Sequence, residues 1–300
     1  GTASMQWLGD AAVILEQHGV SMITVNGGGV ISRLTGMSAD GNEEEGWKVP
    51  FAEVVKKRVS IPVAACGSLR HPDYIDSIIE AGKCDLVALG RQLFAEPEFC
   101  NKIAEGREDE LKFCVSCMHC LTKTKFGPNQ PGCTVNPRGR REFCIPRELN
   151  VNGDSLPVAV VGAGPAGLEA AVTLAKRGFA VTLFDKGDKL GGNINLASMP
   201  IGKYKLGWMI GYYENMLRKL GVTVRLGTTC TPEMLEELKP YAVFIATGSV
   251  EAIPPLPGIG GEGVIPVRSY LCERPEIKDS KVIVLGAGQT GLETARMLAV

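Results

Sequence analysis

Residues 156–185, LPVAVVGAGPAGLEAAVTLAKRGFAVTLFD, decide the fold. An apolar run from Leu156 to Val161 enters the turn Gly162-Ala163-Gly164-Pro165-Ala166-Gly167. A helical pattern, Leu168 to Arg177, then leads through Gly178 to a second apolar run, Ala180 to Phe184. The glycines permit the tight turn, the approach of backbone to a pyrophosphate and the close packing of helix on strand, while the helix N-terminus faces the phosphates. Asp185, 23 residues after Gly162, stands where a carboxylate accepts hydrogen bonds from ribose hydroxyls, with Lys186 beside it. A lone GxGxxG is a weak signal. One set between two strands and followed by an acid at this distance predicts a Rossmann-like domain holding a dinucleotide.

Towards the C-terminus the pattern continues. Gly191-Gly192, in DKLGGN, resembles the paired glycines that approach the flavin side of the cofactor in two-dinucleotide flavoproteins, which points to FAD. Val222 to Arg225 reads as a strand leading to Thr229-Cys230, where that class makes a backbone contact to adenine; a buried small hydrophobe is the alternative reading of Cys230. Tyr241 to Ile245 reads as a strand ending in Ala246-Thr247-Gly248, similar to the ATG turn of the same class. Lys281 to Leu285 reads as a further strand entering a second fingerprint, Gly286-Ala287-Gly288-Gln289-Thr290-Gly291. Two such turns resemble an FAD domain interrupted by an NAD(P)H domain; the residue choosing NADH or NADPH is expected beyond Val300.

Upstream lies FCVSCMHC. Cys114, Cys117 and Cys120 are spaced C-x2-C-x2-C, and Cys133 follows across a stretch holding Gly127, Pro128, Pro131 and Gly132. Three thiolates so close can wrap one face of an iron-sulfur cube, and a fourth returning across a Gly/Pro turn completes it. Structural zinc is the rival, although it usually takes two separated C-x2-C pairs. A two-cluster ferredoxin would need a cysteine where Thr124 stands. Disulfides are disfavoured, because the ten cysteines are otherwise scattered and nothing marks the chain as secreted.

Residues 1–112 carry three apolar runs, Met22 to Asn26, Pro62 to Cys66 and Asp85 to Leu89, alternating with helical patterns at Phe51 to Arg58, Pro72 to Ala81 and Pro97 to Glu105. An amphipathic helix, Gly9 to His18, precedes them. Apolar strands alternating with helices imply buried parallel strands. Three βα units are the last three of a (β/α)8 barrel, whose chemistry sits at strand ends. Here those ends read Gly67-Ser68 and Gly90-Arg91, a phosphate site after the last two strands, with plain turns as the alternative.

The segments IPVAACGSLRHP (61–72) and DLVALGRQLFAEPEF to GREDELKFCVSC (85–117) resemble the closing strands of the old yellow enzyme class of FMN barrels. More narrowly, they are similar to members with an iron-sulfur loop after the barrel: 2,4-dienoyl-CoA reductase, enoate reductases and trimethylamine dehydrogenase. The likeness runs over essentially the whole chain. It implies that Gly67, Ser68, Gly90 and Arg91 hold the FMN phosphate and that the four cysteines carry one 4Fe-4S cluster. The dienoyl-CoA reductases space the cysteines C-x2-C-x3-C-x11-C, whereas the spacing here resembles the trimethylamine dehydrogenase branch. Those reductases also carry a proton-donating histidine after the sixth strand, and Gly27 to Trp47 contains none. No catalytic acid is therefore named; Arg33 and the run Glu43-Glu44-Glu45 read as solvated loop. His18 and His71 read as helix-end surface residues, and His119 as a neighbour of the cluster.

The 300 residues divide as 1–112 (partial barrel), 113–148 (iron-sulfur segment), 149–278 (FAD domain) and 279–300 (start of an NAD(P)H domain), all of α/β class. A net charge of -1 gives no basic footprint for nucleic acid or a membrane surface. No apolar run approaches the roughly 18 residues of a membrane span, and no signal pattern opens the chain, so a cytoplasmic setting is expected. Both ends read as cut. The order of parts implies electrons passing from NAD(P)H to FAD, through the cluster to FMN, and to an activated C=C bond of an enoyl, dienoyl or enoate substrate. The alternatives are amine oxidation with transfer to an external electron carrier, and a non-catalytic electron-transfer flavoprotein. The oligomeric state is left open.

Overall fold

The computed structural model describes residues 5–26, 44–120, 132–278 and 280–300. Contacts divide the chain into two units, Gly1–Arg147 and Glu148–Val300.

The first unit opens with α1 (Met5–Gln17) and β1 (Ile23–Val25), then α2 (Val49–Lys56), β2 (Val63–Ala65), α3 (Pro72–Glu80) and β3 (Leu86–Val87). Two short helices follow, α4 (Arg91–Ala95) and α5 (Phe99–Ala104). The strands form a parallel sheet in the order β1-β2-β3, with Thr24 opposite Ala64 and Ala65 opposite Val87. Every residue of β2 is buried, as a central parallel strand covered on both faces must be. Val55, Ile75, Ile78 and Phe99 pack around it. The apolar runs are longer than the ladders because the last residue of each run turns away from the sheet towards the strand-end cavity. Pro97 lies ahead of α5, whose N-cap is Glu98, so that helix starts later than the sequence implies. The sequence reads Gly90-Arg91 as a strand end, and in the structure Gly90 caps α4, which Arg91 begins.

The run Glu43-Glu44-Glu45 is not wholly a solvated loop. Glu43 and Arg33 lie outside the described residues, but Glu45 reaches the N-terminus of α3. Its carboxylate accepts from the backbone N–H of Arg70 and His71 and bonds the His71 ring at Nδ1. Burial pushes the Glu45 carboxyl up, and the His71 side chain with the His71 and Arg70 amides outweighs it, leaving the group below the usual range. A carboxyl depressed in the folded state adds stability above its unfolded pKa and loses it as pH falls through the folded one. Acid titration of unfolding should therefore show a loss of stability below about pH 4.5 that the Glu45→Gln variant lacks. Equal pH profiles for the two proteins would refute this role of Glu45. His71 keeps its place at the helix end and also packs on Phe113, ring centroids 4.5 Å apart.

The second unit runs β4 (Pro157–Val161), α6 (Pro165–Lys176), β5 (Ala180–Phe184), α7 (Ile194–Ala197), α8 (Trp208–Lys219), β6 (Thr223–Arg225), α9 (Pro232–Leu238), β7 (Ala242–Ile245), α10 (Val267–Glu273) and α11 (Gln289–Leu298). Its four strands are parallel, in the order β6-β5-β4-β7. On α6, Leu168, Ala171 and Val172 recur at helical spacing and are buried against β4 and β5. Burying Leu168 fully contributes roughly 1.5–3 kcal/mol. Thr231 caps α9, its side chain accepting from Met234 N–H.

Lys281 to Leu285, expected as a strand, forms none: no described strand pairs with it, and Ile283 is 92% exposed. A β-run without a ladder partner gains no regular hydrogen bonds. Among the described residues, no helix is long and apolar enough to cross a membrane.

Candidate functional site

In the first unit the strand ends surround a cavity of about 230 Å³. All four expected phosphate residues, Gly67, Ser68, Gly90 and Arg91, line it. Gly67 has φ +127°, and a Cβ there would stand 2.9 Å from the Lys48 backbone nitrogen, so both conformation and space demand glycine. Arg91 donates to Ser68 Oγ at 3.0 Å and contacts Met118 Sδ at 3.1 Å. Sequence reading missed four further lining residues, Asn26, Trp47, Lys48 and Cys66. No motif marks them: Asn26 and Cys66 reach the cavity by following β1 and β2, and Trp47 and Lys48 by closing the segment before α2. Lys48 is 2% exposed and donates to Asn26 Oδ1 at 2.6 Å. Burial pushes its ammonium below the usual lysine range, with Cys66 opposing and nearby Arg91 adding to the shift. The Cys66 thiol donates to Val25 O at 3.2 Å and is pushed up by burial, against the pull of Lys48.

A second recess, largely apolar, is bordered by Cys114, Cys117, Cys120 and Cys133 together. The backbone turns through left-handed conformations at Ser116 and Met118, on either side of Cys117. Burial raises the Cys120 thiol, the other three thiols raise it further, and Arg91 lowers it. Cys133 is raised by burial and lowered by backbone N–H groups of Val135 and Asn136, the donors that a thiolate ligand uses. Cys117 Sγ lies 3.1 Å from Thr134 Oγ1. Among the described residues no group of three His, Cys, Asp or Glu side chains is placed to hold a single metal ion. Four cysteines, with no histidine or carboxylate, border the recess, a donor set of the kind that iron-sulfur clusters and structural zinc take.

Arg91 and Cys114 border both recesses. The wall between them is fixed by Arg70, 2% exposed, which donates to Ser68 O at 2.9 Å, Cys114 O at 2.6 Å and Ser116 Oγ at 3.2 Å. Gln92 completes it, donating to Lys112 O and accepting from Cys114 N–H, each at 2.9 Å.

In the second unit, the fingerprint turn is assembled around Gly162 and Gly167. A Cβ on Gly162 would meet Ala246 O at 2.3 Å, and one on Gly167 would meet Gly162 O at 1.8 Å. Gly192 abuts Gly164 Cα at 3.0 Å for an added Cβ, and Gly191 N–H donates to Ala163 O at 2.8 Å. The paired glycines, the first fingerprint and Ala246 of the Ala246-Thr247-Gly248 turn are thus brought together. Pro165 and Ala166 open α6 at the exposed side of the turn. Asp185 accepts from Ala163 N–H (2.6 Å) and Gly187 N–H (2.7 Å), and a carboxylate with about four lone-pair sites keeps room for ribose hydroxyls. Lys186 is exposed. Gly227 and Thr228 N–H bond Gly187 O and Asp185 O, which brings the segment ending at Cys230 to the same edge; burial raises the Cys230 thiol. At Gly286, Gly288 and Gly291 the same turn recurs: Gly286 has φ +110°, and a Cβ on Gly291 would meet Gly286 O at 1.9 Å.

A cation-lined strand-end cavity beside a four-thiol recess, and a second parallel sheet carrying glycine turns, define an α/β protein with two kinds of candidate cofactor site. Residues 6–110 match the NADH:flavin oxidoreductase / NADH oxidase family, and residues 156–300 match the pyridine nucleotide-disulphide oxidoreductase family. The chain is 38% identical to an NADH oxidase of Thermoanaerobacter brockii, over 96% of the chain and 44% of the relative. It is 34% identical to a cinnamate reductase of Clostridium sporogenes, over 85% of the chain and 38% of the relative. A solved 2-naphthoyl-CoA reductase, 27% identical, superposes with a TM-score of 0.90 over 98% of the chain and 44% of that structure. The chain belongs to the flavoenzymes of the old yellow enzyme class, in the branch that joins an FMN family domain to a pyridine-nucleotide domain. It spans under half the length of these relatives.

Proposed function

We propose that this chain is the cofactor-bearing part of an NAD(P)H-dependent oxidoreductase that reduces a C=C bond conjugated to a carboxyl or thioester. The single observation that carries it is the shared wall: Arg91 and Cys114 border both the strand-end cavity and the four-thiol recess. Bound there, FMN and a 4Fe-4S cluster, with FAD at the second unit, supply hydride and single-electron chemistry. Gly67, Ser68, Gly90 and Arg91 hold the FMN phosphate at the closing strands of a (β/α)8 barrel. Cys114, Cys117, Cys120 and Cys133 ligate the cluster, and Arg70 and Gln92 keep the Cys114 backbone in register with the phosphate turn. Gly162, Gly164, Pro165, Ala166, Gly167, Asp185, Lys186, Gly192, Cys230, Ala246, Thr247 and Gly248 form the FAD site. Gly286, Gly288 and Gly291 receive NAD(P)H. The relatives whose names specify cinnamate and naphthoyl-CoA support the substrate class.

Anaerobic mixing tests this reading. NADH or NADPH should bleach the visible absorbance of the intact protein, and cinnamate or an enoyl thioester should restore it. Reduction by a methylated amine alone, with electrons leaving to an added carrier, would instead establish the amine-oxidising reading that the cysteine spacing resembles.

A further inference from the structure

We propose that Lys48, backed by the Trp47 ring, forms a second arm of the strand-end cavity, binding the phosphate of the mononucleotide together with Arg91 and making the site selective for FMN over uncharged riboflavin. The inference rests on the proposed FMN site and adds a residue that no motif marks.

Charge comes first. The cavity lining contains Lys48, Arg70 and Arg91 and no Asp or Glu. A phosphate monoester carries roughly -1.5 to -2 at neutral pH, which one guanidinium does not balance. Arg70 spends its described hydrogen bonds on the wall, at Ser68 O, Cys114 O and Ser116 Oγ. Lys48 is the second cation at the cavity, close enough to Arg91 for each charge to act on the other.

Trp47 supplies the independent observation: its ring borders the cavity and packs under the Lys48 ammonium. The two side chains are held as one piece: Lys48 Nζ stands 4.7 Å from the Trp47 ring centroid, and Gly46 N–H donates to Gly67 O at 2.8 Å. The same Gly46 would meet Tyr74 Oη at 2.2 Å if it carried a Cβ, so the segment before α2 is pinned between Gly67 and α3.

The test titrates the flavin-free intact protein with FMN and with riboflavin, following flavin fluorescence. Lys48→Met keeps the length and deletes the charge. It should weaken FMN by about 10- to 100-fold, the range of a hydrogen bond to a charged group, and leave riboflavin within about twofold. Lys48→Arg should recover most of the FMN affinity, which a folding defect would not permit. Equal weakening of both flavins, or of neither, overturns the clamp. Wild-type protein that fails to prefer FMN overturns the FMN site itself, and the clamp falls with it.

Discussion

Replacing Cys133 by serine should reduce bound iron and acid-labile sulfide from about four per chain to near zero and abolish the broad visible absorbance of a cluster. Cys133 is one of the four thiols bordering the recess, and backbone N–H groups of Val135 and Asn136 pull its thiol down against the larger effect of burial. A cube missing one corner ligand is open to solvent and oxidant. The FMN cavity should survive, because Cys133 does not line it. FMN content near wild type with iron gone is therefore the expected pair of results, measured by colorimetric iron and sulfide assays beside flavin extraction. About one zinc per chain without sulfide in the wild-type protein would replace the cluster by a structural ion and end the account given for the four thiols.

The second large effect is expected at Gly167. An added methyl would lie 1.8 Å from Gly162 O, with Ala246 Cβ 3.3 Å away on the far side, and neither obstacle is the end of a flexible side chain. Relief requires α6 to slide off β4, which breaks the packing of Leu168, Ala171 and Val172. Gly167→Ala should destabilise the second unit by more than about 4 kcal/mol, the range reserved for severe core or backbone clashes, and eliminate FAD retention. A control of opposite sign lies on α8. Gly211 has nothing within 4 Å of its would-be Cβ, so Gly211→Ala should stabilise by about 0.5–1 kcal/mol. Urea unfolding of the two variants reads both; equal effects would refute the geometry of the turn.

The glycine turns were legible because their requirement is local. Gly167 and Gly291 close on the carbonyls of Gly162 and Gly286 in the same turn, so spacing alone announces them. Gly67, Ser68, Gly90 and Arg91 were legible because parallel strands bring their ends to one side. Arg70, Trp47 and Lys48 were not, because each acquires its meaning from a partner far along the chain: Arg70 from Cys114, Lys48 from Asn26, Trp47 from the cavity itself. Glu45 was misjudged for the same reason, since a run of acids reads as solvated until a helix N-terminus is found beneath it. The run at Lys281 to Leu285 has strand composition and lacks a described neighbour to pair with, which composition cannot reveal.

The parallel strands also give each unit two unlike rims. The turns at Gly67-Ser68, Gly90-Arg91 and Gly162 follow the carboxyl ends of strands, whereas the helix-to-strand turns at Gly82 and Gly221 sit at the other end, left-handed and with open space around them. A fluorophore, an affinity handle or a few inserted residues at those turns would leave the cofactor side untouched, so distances within a working molecule could be tracked by spectroscopy without disturbing what is being watched.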